Sequence, residues 1–117
     1  MNHLAVAAQP ALSNDSLWGT TLGNAVRVWR SGIGVDAHGN LIYAAVDIQT
    51  AESLALILQH AGAVRAMELD INYDWTTFNF YGLFGAAAPA KLLSDMSRPA
   101  TRYLSPDDRD FFAVYAR

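Results

Sequence analysis

The chain contains no cysteine, which excludes disulfides and thiolate metal sites but leaves the compartment open, because many exported proteins also lack it. Charge is sparse as well: 16% of the 117 residues are charged, the formal net charge is −3, and the seven arginines and one lysine read as scattered. Nothing in that balance attracts nucleic acid or an anionic membrane surface, so no nucleic-acid partner is expected. No stretch approaches the ~20 apolar residues of a membrane-spanning helix. The opening Met1 to Ala8 lacks a basic region and has only a short, diluted apolar run, so it is not read as a signal peptide. Against these absences, hydrophobic residues make up 52% of the chain, enough apolar surface for the core of one small domain.

The most informative stretch is Val64 to Trp75, an alternating apolar run that stops at acids. Along a strand, side chains alternate between faces, so Met67 and Leu69 are expected on one side and Ala66, Glu68 and Asp70 on the other. The Cα atoms of the two carboxylate residues would then lie roughly 6.5 to 7 Å apart on a shared face. Glutamate is poor strand material and costly to bury alone, so its position calls for a partner, a metal or a chemical role.

Residues 1–17 show neither helical nor strand periodicity and read as an irregular lead-in to 18–117, which is either a single domain or the C-terminal half of a larger one. Ala25 to Arg30 alternates as a first strand, the glycines of Ser31-Gly32-Ile33-Gly34 permit close backbone approach or a bulge, and Ala37 to Asn40 is a hairpin turn. Leu41 to Asp47 is a nearly continuous apolar strand. Thr50 is then a helix N-cap, Leu54, Ile57, Leu58 and Ala61 recur at helical spacing, and Gly62 ends the helix. Strand, helix and strand in this order predict a βαβ crossover setting Leu41–Asp47 parallel to Val64–Asp70, with Asp47, Glu68 and Asp70 converging at the carboxyl edge. A further strand over Trp75 to Tyr81, a small-residue loop from Gly82 to Ala90, a short helical turn near Leu92-Leu93 and a last strand at Phe111 to Tyr115 complete the chain. The expected class is α+β: a mixed sheet with one crossover helix and antiparallel edge strands.

Three blocks resemble the C-terminal part of the phosphodiester glycosidase domain, the family that includes the enzyme uncovering mannose 6-phosphate tags by removing N-acetylglucosamine. Trp29-Arg30-Ser31-Gly32-Ile33-Gly34-Val35-Asp36-Ala37-His38-Gly39 looks like the family's arginine strand and hairpin. Ala51 to Ala63 is similar to its helix ending in Gly-Ala, and Ala66-Met67-Glu68-Leu69-Asp70 sits where the family has Ala-Leu-Asn-Leu-Asp. The ending Arg109 to Tyr115 also resembles that of bacterial members, so the likeness spans about residues 18 to 117. Two departures stand out. Glu68 replaces the family's asparagine, and Ile71-Asn72-Tyr73-Asp74 replaces a Gly-Gly-Gly-Ser turn whose backbone amides can approach a phosphate.

The resemblance implies hydrolysis of a sugar-phosphodiester linkage, with a sugar phosphodiester or envelope glycan as ligand and an exported or cell-envelope setting. Asp70 is the candidate acid or base, against an alternative as a turn cap. Glu68 either tunes Asp70 or pairs with Arg30 or Arg27. Arg30 aligns with the family's arginine, and a planar guanidinium suits a phosphodiester oxygen pair. Asn72 and Thr76 are candidate substrate contacts. No cofactor is required, but Asp70, Glu68 and Asp47 form a candidate hard-cation set for Ca²⁺ or Mg²⁺; Asp47 also reads as a helix-entry residue. Trp75 and Trp29 either stack on a sugar or fill the core. His3, His38 and His60 share no locus, which argues against zinc, and no serine or cysteine nucleophile with a paired base can be assembled. The competing expectation is a catalytically silent carbohydrate-binding or structural half-domain, pairing with a second copy or with a complementing N-terminal half.

Overall fold

A tight hairpin organises the first half of the chain. Asp36 accepts hydrogen bonds at Oδ1 from the backbone amides of His38 and Asn40, at 2.8 and 2.9 Å, and at Oδ2 from the Asn40 amide at 2.9 Å. Gly39 takes a φ of 86°, which is inexpensive only for a residue without Cβ. The turn joins β1 (Val28–Val35) to β2 (Leu41–Gln49) in antiparallel register, with Val35 opposite Leu41 and Ile33 opposite Tyr43. This computed structural model describes residues 27–82, 88–107 and 109–115; the expected lead-in, the start of the first strand and most of the loop from Gly82 to Ala90 lie outside them.

Helix α1 (Ala51–His60) begins where expected. The Thr50 side chain accepts from the Ser53 amide, and the Ser53 hydroxyl accepts from the Thr50 amide, so two otherwise orphaned donors at the helix start are satisfied reciprocally. The helix closes with Gly62 at φ 103°, while the amides of Gly62 and Ala63 donate to the carbonyls of Gln59 and Leu58, a Schellman ending. From there the chain enters β3 (Arg65–Ile71).

The fold is α+β, as the sequence indicates, with one α-helix, a three-stranded sheet and a small two-stranded sheet of β4 (Asn79–Phe80) and β5 (Ala90–Lys91) among the described residues. The ladder differs from the expected mixed sheet in one respect. The strand order is β2-β1-β3 and both pairings are antiparallel. β2 and β3 therefore run in the same direction, as a helical crossover requires, but β1 lies between them. The hairpin explains this: its short turn pairs β1 with β2 at once and leaves the other edge of β1 for β3.

The helix covers one face of this sheet through Leu54 and Leu58, joined by Ala63 just beyond its end, and the three pack with Ile42, Ala44, Val46, Ala55 and Ala66. Gly32 and Gly34 let it sit close. A Cβ at Gly32 would lie 2.8 Å from Leu58 Cδ1, and one at Gly34 would lie 2.8 Å from Ala63 Cβ and 2.9 Å from the Arg65 carbonyl oxygen. On the opposite face Tyr43 packs against Phe78, with ring centroids 4.6 Å apart, and donates its hydroxyl to the Thr77 carbonyl at 3.2 Å.

The expected strand from Trp75 to Tyr81 shrinks to the two residues of β4, since only that part finds a partner in β5. Phe111 to Tyr115 forms no strand and is exposed throughout. Their strand-forming composition meets no neighbouring ladder among the described residues. The helical turn falls later than expected, as a 3-10 turn at Arg102–Leu104. No helix among the described residues is long and apolar enough to cross a membrane.

Candidate functional site: an arginine-rich cluster around Asp70 and Trp75

Arg30 sits on the central strand between two β-bulges, and those bulges decide where each acid goes. Between β1 and β3, Gly32 is opposite Glu68 but Arg30 is opposite Ile71, so β3 carries one extra residue at Leu69-Asp70. Between β1 and β2, Val28 is opposite Gln49 and Arg30 opposite Val46, which puts the extra residue at Asp47-Ile48; Ile48 accordingly has a φ of 54°. One extra residue inverts the alternation of side chains beyond it. Glu68, opposite Gly32, stays on the helix-covered face, whereas Asp70 turns to the Tyr43 face. The shared face expected for Glu68 and Asp70 is thus undone by the bulge between them.

Glu68 meets Arg30, with Nη1 3.2 Å from Oε2 and 3.4 Å from Oε1, and the two side chains are only 8% and 3% exposed. Arg30 also donates from Nε to the Gln49 carbonyl at 2.8 Å. One guanidinium therefore ties the central strand to both neighbours at their irregular points. Burial raises the Glu68 carboxyl above its ordinary value, and the Arg30 charge and hydrogen bond only partly offset this. Of the sequence alternatives for Glu68, the Arg30 ion pair is the arrangement found.

Asp47 is exposed on the β2 bulge and accepts from the following Ile48 amide at 2.7 Å. It does not approach Glu68 or Asp70 as the carboxyl-edge reading expected, because the bulges send the three acids apart. Among the described residues, no group of three or more His, Cys, Asp or Glu side chains gathers closely enough to hold a metal ion.

The Asp70 carboxylate meets Arg109, with Oδ1 3.0 Å from Nη2; these side chains are 41% and 37% exposed. The Asp70 backbone is pinned from two sides, its carbonyl accepting from the Ser31 hydroxyl at 2.7 Å and from the Thr76 hydroxyl at 3.3 Å. Thr76 is 1% exposed. Asn72, at φ 74°, forms the turn after β3: its amide donates to the Trp29 carbonyl, and its own carbonyl accepts from Trp75 and Thr76. Trp29 is core, at 8% exposure. Near Asp70, burial pushes the Tyr43 hydroxyl up to about 12, a nearby Ser31 hydrogen bond pulls the other way, and the Asp70 charge adds to the rise.

Trp75 is the centre of an arrangement that the sequence reading missed. The guanidinium carbons of Arg109, Arg98 and Arg102 lie 4.3, 4.7 and 5.6 Å from its ring centroid, within cation–π range. Arg98 donates from Nε to the Asp74 carbonyl at 2.9 Å, and Arg102 donates from Nε to Asp107 at 2.8 Å. The available signal was local density: three of the seven arginines fall between positions 98 and 109. Without periodicity, nothing in that stretch showed that they would meet at one indole. Chemically, the cluster sets two carboxylates, Asp70 and Asp107, beside three guanidinium groups, leaving cationic charge in excess.

Comparison with protein-family models, curated proteins and solved structures finds no match to this chain.

Proposed function

We propose that the chain is a phosphodiester glycosidase-like domain that hydrolyses a sugar-phosphodiester linkage, with Asp70 as the general base. The observation that supports it is the Asp70–Arg109 contact at 3.0 Å on the rim of Trp75, where a carboxylate and cations face solvent together. In the reaction, water attacks the anomeric carbon and Asp70 takes its proton. The bond between that carbon and the phosphate oxygen breaks, and the phosphate leaves with the electron pair. A leaving phosphomonoester carries its own charge away and needs cations more than a proton, which suits an arginine-lined site. Glu68 and Arg30 act as positioning residues: they hold β3 on β1 at the bulge that turns Asp70 outward.

The test is release of sugar from a synthetic glycosyl phosphodiester by the intact protein. Asp70→Asn should lower turnover by about 10² to 10⁴-fold, the span of general acid–base catalysis; turnover unchanged in that variant refutes the role.

A second reading, a catalytically silent domain that pairs with another chain, is favoured by one observation. The sheet leaves a largely apolar hollow of about 260 Å³ lined by Ile33, Val35, Leu41, Arg65, Ala66 and Met67, with Leu41 and Met67 half exposed. Sedimentation of the wild type and of Leu41→Asp separates the readings: a monomer in both counts against pairing through this face.

A further inference from the structure

Three guanidinium groups meet at Trp75, yet among the described residues two of them have carboxylate partners and the third has none. Asp70 binds Arg109 and Asp107 binds Arg102, while Arg98 has no carboxylate within ion-pair distance among the described residues. Arg102 supplies a second, independent observation. It is only 9% exposed, and its Nη1 is buried with no hydrogen-bond partner among the described residues. A buried guanidinium N–H left without an acceptor is costly, and such groups are rare in folded proteins unless a ligand or bound water completes them.

The surroundings do not answer that donor with another charge. The Arg102 guanidinium carbon lies 5.1 Å from the Tyr103 ring centroid and 5.6 Å from that of Trp75, and a ring supplies no lone-pair acceptor, so Nη1 still lacks one. The three guanidinium carbons lie 4.3 to 5.6 Å from the Trp75 centroid, and an oxyanion with several oxygens offers acceptors to more than one guanidinium at a time. Phosphoryl oxygens match guanidinium geometry well.

We infer that Arg98, Arg102 and Arg109 around Trp75 form a binding subsite for the phosphoryl oxygens of a phosphate ester. The sugar-phosphodiester reading is needed only to identify the ester; the oxyanion subsite rests on the arginines around Trp75 and the unmet Nη1 of Arg102. With the phosphate on the arginines, attack in line with the breaking bond would put the anomeric carbon of a sugar phosphodiester between that phosphate and the water held by Asp70. Arg30, buried against Glu68 and Gln49, keeps the scaffold in register while these three arginines hold the ligand.

The test is titration of the full chain with inorganic phosphate and with glucose 1-phosphate, following the Trp75 indole N–H signal by NMR at constant ionic strength, with chloride as control. Both phosphates should shift that signal and chloride should not. Arg98→Gln and Arg109→Gln, at partly exposed positions, should each weaken phosphate binding about tenfold, the loss expected for one charge-assisted hydrogen bond. Arg102→Gln should weaken it at least as much; a thermal melt shows whether that variant is folded, and the two exposed variants decide the matter if it is not. No phosphate-dependent shift at Trp75, an equal shift with chloride, or unchanged affinity in Arg98→Gln and Arg109→Gln overturns the subsite. Phosphate binding that depends on these arginines, alongside turnover that ignores Asp70→Asn, sustains the subsite and refutes the hydrolytic reading alone.

Discussion

Replacing Arg30 with methionine should unfold this protein more readily than any change on its surface, and by an amount that depends on pH. Arg30 and Glu68 are 3% and 8% exposed at their side chains, so removing the cation leaves a carboxylate in a place where water cannot compensate it. Breaking a buried pair from one side costs about 3–5 kcal/mol, and the Gln49 carbonyl loses the donor that reaches it at 2.8 Å. Against the roughly 5–15 kcal/mol that stabilises an ordinary domain, that is a large fraction. The pH dependence follows from Glu68. Burial already raises its carboxyl above the ordinary 4.5, so the folded state binds that proton more tightly than the unfolded chain. Its stabilising contribution is full below the ordinary value and is lost as pH rises through the raised one. Arg30 holds the rise down, so Arg30→Met should widen that window. Urea unfolding of wild type and Arg30→Met at about pH 4 and about pH 7 reads the difference directly. The gap should be small in acid and several kcal/mol at neutrality, and Arg30→Met/Glu68→Gln should recover much of it. A penalty below about 1 kcal/mol, or one that does not change with pH, refutes the reasoning.

Other expectations are more local. Gly34→Ala sets a Cβ 2.8 Å from Ala63 Cβ and 2.9 Å from the Arg65 carbonyl oxygen, neither of which can swing aside, so thermal unfolding should show a loss of about 1–3 kcal/mol; a neutral result would mean that β1 and β3 shift apart at little cost. Leu58→Ala, at 2% exposure in the centre of the helix–sheet contact, should cost about 2–5 kcal/mol by the same assay. Ultraviolet titration should find one tyrosine ionising near 12. Stability tied to the neutral Tyr43 hydroxyl is full below its ordinary value of 10.0 and declines as pH rises from there towards 12. Tyr43→Phe should remove both the late transition and that decline.

The helix and its flanking strands were legible because their signals are local. Thr50 as cap, Gly62 as terminator and the Leu54–Leu58 spacing each act within one or two turns of chain. The order of strands was less so, since nothing local distinguishes β3 pairing with β2 from β3 pairing with β1; the hairpin around Asp36 decides it by occupying one edge first. The bulges at Asp47-Ile48 and Leu69-Asp70 left no mark in residue type. They are registers that two strands settle together, and the one at Leu69-Asp70 alone separates Glu68 from Asp70. Asp70 was picked out by its place at the end of an apolar strand, but the arginines that surround Trp75 come from loop positions whose meeting depends on the tertiary fold.

The division of labour between the two acids is the core of the account, and turnover of a glycosyl phosphodiester by Asp70→Asn and Glu68→Gln, side by side and both shown folded, tests it most directly. Asp70→Asn should lower sugar release by about 10² to 10⁴-fold, while Glu68→Gln, which keeps an acceptor for Arg30 and removes a buried charge, should lower it far less. Equal loss in both, or turnover that survives Asp70→Asn, contradicts the separation of a positioning pair at Arg30–Glu68 from a reactive carboxylate at Asp70.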